Sequence, residues 1–235
     1  VGRDTRESGK QLETALANGL LAGGVSVELL GVAPTPAIAF LAAKRGCASA
    51  AITASHNPYA DNGVKLFANG GVKLSDAQQD AIESHMTGSA TVASASATQV
   101  DLMGEYASHI IGLFPVLAFT NIRVVLDCAN GAMSDVAPEV FARLGATVIV
   151  LNDRPNGKNI NEGCGATHPE VVSEAVRLHK ADLGLAFDGD GDRVIAVDHI
   201  GDVVDGDHLI ALAAVDLHKR GKLKSNSVAV TVMTN

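Results

Sequence analysis

The sequence predicts an α/β protein made of consecutive βα-rich domains on mixed, largely parallel sheets. Three observations predict it. Short apolar runs of strand length alternate with stretches whose apolar residues recur at helical spacing, and that alternation lays helices against parallel strands. The rhythm starts afresh beyond Pro115, so one βα set follows another. Two of the strand runs deliver the chain into polar loops, TASHNPYADNG at 53–63 and DGDGDR at 188–193.

In chain order, Ser8 reads as an N-cap, and Leu12, Ala15, Leu16, Gly19 and Leu20 keep helical spacing until Gly23-Gly24 stops it. VSVELL (25–30) follows as a strand. Thr35-Pro36 supplies cap and first-turn signals for a helix through Ala43, and SAAIT (49–53) is the next strand. Residues 87–98, TGSATVASASAT, have little to bury and read as a loop or a weak edge strand. A helix is expected over 101–114, ended by Pro115.

The second set begins with the strand RVVLD (123–127), a helix near 135–144 and the strand ATVIVL (146–151). A long polar loop, NDRPNGKNINEGCGAT, leads to a helix over 169–180 and the strand DLGLAF (182–187). A hairpin around 199–202, a helix over 207–220 and a final strand in SVAVTVMTN complete the reading. The expected domains are 1–116, 117–204 and 205–235. There is no strict short-period repeat, but the recurring βα rhythm fits similar domains in series. The chain opens on VGRD, like the tail of a strand, and ends in apolar alternation, so it is expected to be a piece of a longer protein, cut at both ends.

Composition narrows the function. A formal charge of −8 argues against a nucleic-acid partner, which needs a basic face. Aromatics are 3% and Trp is absent, so platforms for base stacking are not expected either. Cys47, Cys128 and Cys164 are odd in number and widely spaced, with no CxxC pair. That fits neither a disulfide nor a zinc framework and makes the cytoplasm the default location. No apolar run approaches the roughly 20 residues of a membrane helix, and no membrane partner is expected.

The chemistry concentrates in the two polar loops. In FDGDGDR, Asp188, Asp190 and Asp192 alternate with glycine. Three such carboxylates repel one another unless a cation sits among them, and the glycines let their oxygens converge. Hard oxygen ligands suit Mg²⁺, or Mn²⁺ in its place, rather than zinc. A calcium EF-hand starting at Asp188 wants Gly sixth and Glu twelfth; Arg193 and His199 stand there. A solvated acidic turn and an Asp188-nucleophile phosphatase both stay open on these residues alone. Arg193 carries a planar fork suited to phosphate, and metal, guanidinium and phosphate together describe phosphoryl transfer.

Ser55 admits four readings. It fits a plain loop hydroxyl. A hydrolase elbow fails, because Thr53 and Asn57 occupy the glycine places of G-x-S-x-G. A phosphate-binding P-loop fails for want of GKS or GKT. A phosphoserine, whose dianion supplies the metal with an oxygen ligand, explains both loops at once.

TASHNPYADNGVKLF together with FDGDGDRVIAVD resembles the α-D-phosphohexomutase superfamily, whose paired signatures are an S-H-N-P phosphoserine loop and a D-G-D-G-D-R metal loop. The resemblance runs through essentially the whole chain. Softer features are the DNG after SHNP, CANGA at 128–132 and PNGKNIN…GAT at 155–167; they are nearest the bacterial branch that acts on glucosamine phosphate. The resemblance implies an isomerase that interconverts glucosamine 6-phosphate and glucosamine 1-phosphate, for cell-wall precursor synthesis, through a phosphoserine and a 1,6-bisphosphate. Phosphomannomutase or phosphoglucomutase activity is the alternative.

Carried over by position, the resemblance makes Ser55 the phosphorylated residue, whose phosphate with Asp188, Asp190 and Asp192 holds one Mg²⁺. Arg193 steadies the phosphate. Lys65 stands where the family has a lysine implicated in proton transfer; read by itself it is a fixed charge near the phosphate or a surface lysine. His56 and Asn57 shape the serine loop, with His56 touching the phosphate. The implied partners are a hexosamine phosphate substrate and a sugar 1,6-bisphosphate activator. The family has four domains, and its sugar-reading and phosphate-gripping loops lie in the third and fourth, so this piece alone is expected to be a poor enzyme.

Overall fold

A computed structural model describes residues 1–86, 96–232 and 234. The first half comprises β1 (Gly2–Arg3), α1 (Gly9–Ala22), β2 (Glu28–Leu29), β3 (Gly31–Val32), α2 (Thr35–Arg45), β4 (Ser49–Ile52), β5 (Val64–Ala68), β6 (Val72–Lys73), α3 (Asp76–Glu83), β7 (Thr98–Gln99) and α4 (Met103–Ile111). The second half comprises β8 (Arg123–Asp127), α5 (Val136–Arg143), β9 (Thr147–Leu151), α6 (Pro169–His179), β10 (Leu183–Phe187), β11 (Val194–Val197), β12 (Val203–Val204) and α7 (Gly206–Lys219).

Two five-stranded sheets carry the site, in the orders β3-β1-β4-β5-β6 and β9-β8-β10-β11-β12. Each has three parallel strands extended by two antiparallel ones. The construction is the same twice over. Parallel neighbours need a long crossover, whereas a direct return gives an antiparallel pair. The two polar loops are such direct returns: 53–63 joins β4 to β5, and 188–193 joins β10 to β11.

Burial explains the second sheet. Val125 packs with Val172, Val176 and Val197, whereas Val124 and Leu126 pack with Ala137 and Phe187. Successive side chains leave a strand on opposite faces, so Val124, Val125 and Leu126 of RVVLD are apolar without alternation because both faces are covered. A further cluster ties the halves together: Ala37 of α2, Tyr106 and Ala107 of α4, and Val136 and Val140 of α5.

Among the described residues the expected elements are found with these differences. Ser8 stands at the N-cap of α1 but makes no capping bond; its hydroxyl instead accepts from Asn62 Nδ2 at 2.9 Å. Thr35 opens α2, but the cap position is Pro34 and the Thr35 hydroxyl points to Asp190. VSVELL pairs only over Glu28–Leu29, against β7, while Gly31–Val32 joins the first sheet. Residues 87–95 of the TGSATVASASAT stretch lie outside the described residues, and Thr98 belongs to β7. The SVAVTVMTN segment forms no strand among its described residues, since a strand exists only where a neighbour takes its backbone hydrogen bonds. The β5–β6 hairpin and α3 are absent from the expectations, although α3 carries a legible capping box between Ser75 and Gln78. Among the described residues, no helix is long and apolar enough to cross a membrane.

Cys128 and Cys164 are buried, and Cys47 is exposed. Burial, with Asp127 adding to it, pushes the Cys164 thiol up to about 12 and raises the Cys128 thiol further still. Iodoacetamide labelling of native protein at pH 8, mapped by peptide mass spectrometry, is therefore expected to modify Cys47 and to reach the other two only after denaturation.

Candidate active site

Ser55 follows β4 in a left-handed backbone conformation, φ 53°, and is buried. The network behind it starts at Asp4 and Arg6, just beyond β1. Asp4 Oδ1 accepts from the Arg6 amide at 3.0 Å, and Oδ2 accepts from Arg6 Nε at 2.9 Å and from the Thr53 hydroxyl at 2.7 Å. Thr53 Oγ1 in turn accepts from the Ser55 amide at 2.8 Å. The rest of the Arg6 guanidinium is spent on backbone carbonyls of the serine loop. Nη2 donates to Ser55 at 2.9 Å and to Asn57 at 2.8 Å; Nη1 donates to Asp61 at 3.0 Å and to Pro58. All five N–H donors of an arginine are thereby used. Burial raises the Asp4 carboxyl above the usual carboxylate range, against the bonds from Thr53 and Arg6 that favour its charged form.

The acidic loop meets this serine. Ser55 Oγ donates to Asp188 Oδ2 at 2.5 Å, and Asp188 Oδ1 accepts from the Arg193 amide at 3.1 Å. Asp190 Oδ2 accepts from the Thr35 hydroxyl and from Lys65 Nζ, both at 2.7 Å; Lys65 also reaches Asp192 Oδ2 at 2.9 Å. The glycines permit the close approach. A Cβ on Gly189 would stand 2.7 Å from the Ser55 carbonyl oxygen, and Gly191 has φ +70°.

One oxygen from each of Asp188, Asp190 and Asp192 lies within 4.8 Å of the others. Asp190 Oδ1 is buried with no hydrogen-bond partner, an arrangement that costs free energy unless something else meets it. Burial, and then Asp190 and Asp192, push the Asp188 carboxyl up. Burial acts upward on Asp190 too, but Lys65 and Thr35 hold it below its ordinary value. For Lys65, burial acts downward and is outweighed by its bonds to Asp190 and Asp192, which keep the ammonium above the ordinary lysine range. Two cations, Lys65 and an exposed Arg193 whose Nε stands 3.8 Å from Asp192 Oδ1, face three convergent carboxylates; negative charge is left over, and the buried Asp190 oxygen points the same way. The residues fit a hard divalent cation.

The structure thus brings Ser55, Lys65, Asp188, Asp190 and Asp192 into one cluster. Lys65 contacts the carboxylates rather than the serine. Arg193 and His56 stand together at its edge, Arg193 Nη1 donating to His56 Nδ1 at 3.1 Å; the Arg193 side chain is 60% exposed. The Asn57 side chain turns away to Asp61. Sequence reasoning passed over Asp4, Arg6, Thr35 and Asn161. For Asp4 and Arg6 the signal is GRDTR beside a strand end; Thr35 reads as a helix cap. Asn161 lies in PNGKNIN, noticed as a pattern but given no role.

Two α/β units thus set a buried serine against a three-aspartate loop. The chain belongs to the phosphoglucomutase/phosphomannomutase family. Its residues 1–92 match that family's alpha/beta/alpha domain I and residues 105–201 its alpha/beta/alpha domain II. It is 47% identical over its whole length to the phosphoglucosamine mutase of Desulforudis audaxviator, covering 54% of that protein. It is also 47% identical to that of Campylobacter curvus, covering 55%. The chain therefore spans about half the length of the relatives it matches. Among solved structures, a phosphoglucomutase/phosphomannomutase family protein from Burkholderia thailandensis superposes with a TM-score of 0.81 at 29% identity, over 94% of this chain and 50% of that one. The Paramecium phosphoglucomutase parafusin, in its open form, shares the fold at TM-score 0.74 and 20% identity, over 91% of this chain and 48% of that one.

Two substitutions test the cation site in the intact protein. Asp190→Ala is expected to weaken Mg²⁺ binding by roughly 100-fold or more, and Thr35→Val, which removes one of the two bonds on the other Asp190 oxygen and leaves that from Lys65, by roughly tenfold, the scale on which outer-shell partners act. Isothermal titration calorimetry measures both.

Proposed function

We propose that this chain carries the phosphoryl-transfer centre of a phosphohexose mutase that interconverts glucosamine 6-phosphate and glucosamine 1-phosphate. The observation that carries the reading is the contact of the buried Ser55 hydroxyl with Asp188, inside a triad of convergent carboxylates. The 47% identity to phosphoglucosamine mutases supports the choice of sugar; phosphomannomutase or phosphoglucomutase activity is the alternative within the same chemistry. The domains are taken as 1–116, 117–204 and 205–235, and the location as cytoplasmic.

In this reading Ser55 is a covalent carrier. Its phosphoryl group passes to O1 of the sugar 6-phosphate, giving a 1,6-bisphosphate. The intermediate turns round, and its 6-phosphoryl group returns to Ser55 Oγ, so each transfer breaks one P–O bond and forms another. Asp188, Asp190 and Asp192, with the phosphoserine, would hold one Mg²⁺, which supplies charge neutralisation for the transferring group. Lys65, a half-buried ammonium among the carboxylates, supplies a fixed positive charge and a proton donor beside the transfer path. Arg193, mostly exposed and next to His56, is placed to take phosphate oxygens with its planar fork. A sugar 1,6-bisphosphate that leaves early restores the phosphoserine when it returns, which makes it an activator.

Peptide mass spectrometry over residues 46–65 of the intact protein tests this. Ser55 is expected to carry phosphate, which glucosamine 6-phosphate with Mg²⁺ removes. Ser55→Ala is expected to lower mutase turnover at least about 10³-fold, as loss of a covalent nucleophile does. An unmodified Ser55 that a sugar bisphosphate also leaves unlabelled refutes the mutase and favours a phosphatase built on Asp188.

A further inference from the structure

Arg6 and Asn161 touch neither the carboxylates nor the Ser55 hydroxyl, yet both end on the same two atoms. Arg6 Nη2 donates to the carbonyls of Ser55 and Asn57 at 2.9 and 2.8 Å. Asn161 Nδ2 donates to the same carbonyls at 2.9 and 3.1 Å. Each oxygen has two lone pairs, and both are taken. The two donors come from different sheets: Arg6 follows β1, whereas Asn161 lies in the polar loop between β9 and α6. That loop is docked on the first sheet at separate points. Glu7 N donates to Gly157 O of that loop at 2.9 Å, and beside it Thr5 Oγ1 donates to Asn130 O, in the turn after β8, at 2.6 Å. Asn161 is held in turn by its own amide, which donates to Ala129 O at 2.9 Å.

The consequence falls on Ser55. A serine in the left-handed region is strained, and such a conformation persists only where its surroundings over-determine it. The Ser55 amide is tied to Thr53 and its carbonyl to Arg6 and Asn161. With both peptide groups held, the side chain stands at 2.5 Å from Asp188.

We infer that Arg6 and Asn161 are positioning residues for Ser55, gripping its carbonyl from behind so that its hydroxyl faces Asp188. Through Asn161, the aim of the serine depends on the docking of the second sheet against the first. This rests on the reading of Ser55 as the phosphoryl carrier.

The test uses the intact protein with Asn161→Gly, because glycine takes the left-handed backbone of Asn161, φ 59°, without strain. Arg6→Lys accompanies it, keeping the charge beside Asp4 but not the reach to four carbonyls. Three quantities are measured: the rate at which Ser55 takes label from radiolabelled glucose 1,6-bisphosphate, the Mg²⁺ affinity and the melting temperature. Asn161→Gly is expected to label roughly tenfold to 100-fold more slowly, the size of effect that a misplacement of about 1 Å produces, with Mg²⁺ affinity and melting temperature close to the parent's. A folded Asn161→Gly that labels at the parent rate overturns the inference, whether or not Arg6→Lys folds. If the parent itself takes no label, the phosphoserine reading falls, and crystal structures decide the positioning. A Ser55 that leaves its left-handed conformation in Asn161→Gly upholds it; an unchanged bond to Asp188 overturns it.

Discussion

Arg6 and Asp4 lie side by side with no exposure of either side chain, and the shape of the serine loop hangs from that pair. An arginine in such a place is tolerable only when its charge is matched and every N–H is bonded. Asp4 meets the first requirement, and four carbonyls of the loop meet the second. The dependence runs both ways. The loop has no regular secondary structure over most of its length and buries carbonyl groups that need donors; Arg6 is the donor set. Removing one partner of a buried pair costs on the order of 3–5 kcal/mol, because the other charge is left uncompensated. The Thr53 hydroxyl then links the pair to the Ser55 amide.

The second sheet repeats the device with different chemistry. Asp127, at the end of β8, the middle of its three parallel strands, accepts from the amide two residues on, at 3.0 Å, as Asp4 does from Arg6 in the first sheet. Its other oxygen accepts from the Gly165 amide at 2.9 Å and so shapes the polar loop that carries Asn161. The third strand of each sheet's parallel set then runs into a reactive loop: Ser55 after β4 and Asp188 after β10. The site is thus the meeting of two equivalent positions in two similar units. The Thr35 amide, bonded to the Asp190 carbonyl at 2.9 Å, and the Thr35 hydroxyl on its carboxylate pull the halves together at the reactive end.

Charge gives this meeting its chemical purpose. Burial forces the three carboxylates into competition: Asp190 is kept ionised by Lys65 and Thr35, while Asp188 is pushed up by its neighbours and leans on the Ser55 hydroxyl. A cluster in which convergent carboxylates outnumber the cations beside them is matched to a further cation.

Much of this was legible beforehand. RVVLD reads as a strand because a short apolar run, Val124 to Leu126, sits between charged residues at strand length, and β8 spans those residues. The DGDGDR spacing disclosed carboxylates able to converge, because alternating glycines let the backbone fold tightly. The SHNP loop disclosed its serine only once it was paired with that distant acidic loop. Short strands such as β6 and β7 stayed hidden, since two residues have no periodicity and exist only through their partners. Arg6 and Asn161 stayed hidden for a related reason: buried donors look like surface residues until the fold shows which carbonyls they meet. By itself the sequence determined the alternation of strands and helices and the residues able to react, because periodicity and local chemistry are written along the chain. Only the tertiary structure decided which carbonyls Arg6 and Asn161 hold and where the Ser55 hydroxyl points, because those bonds join residues up to 133 positions apart and exist only once two sheets have packed.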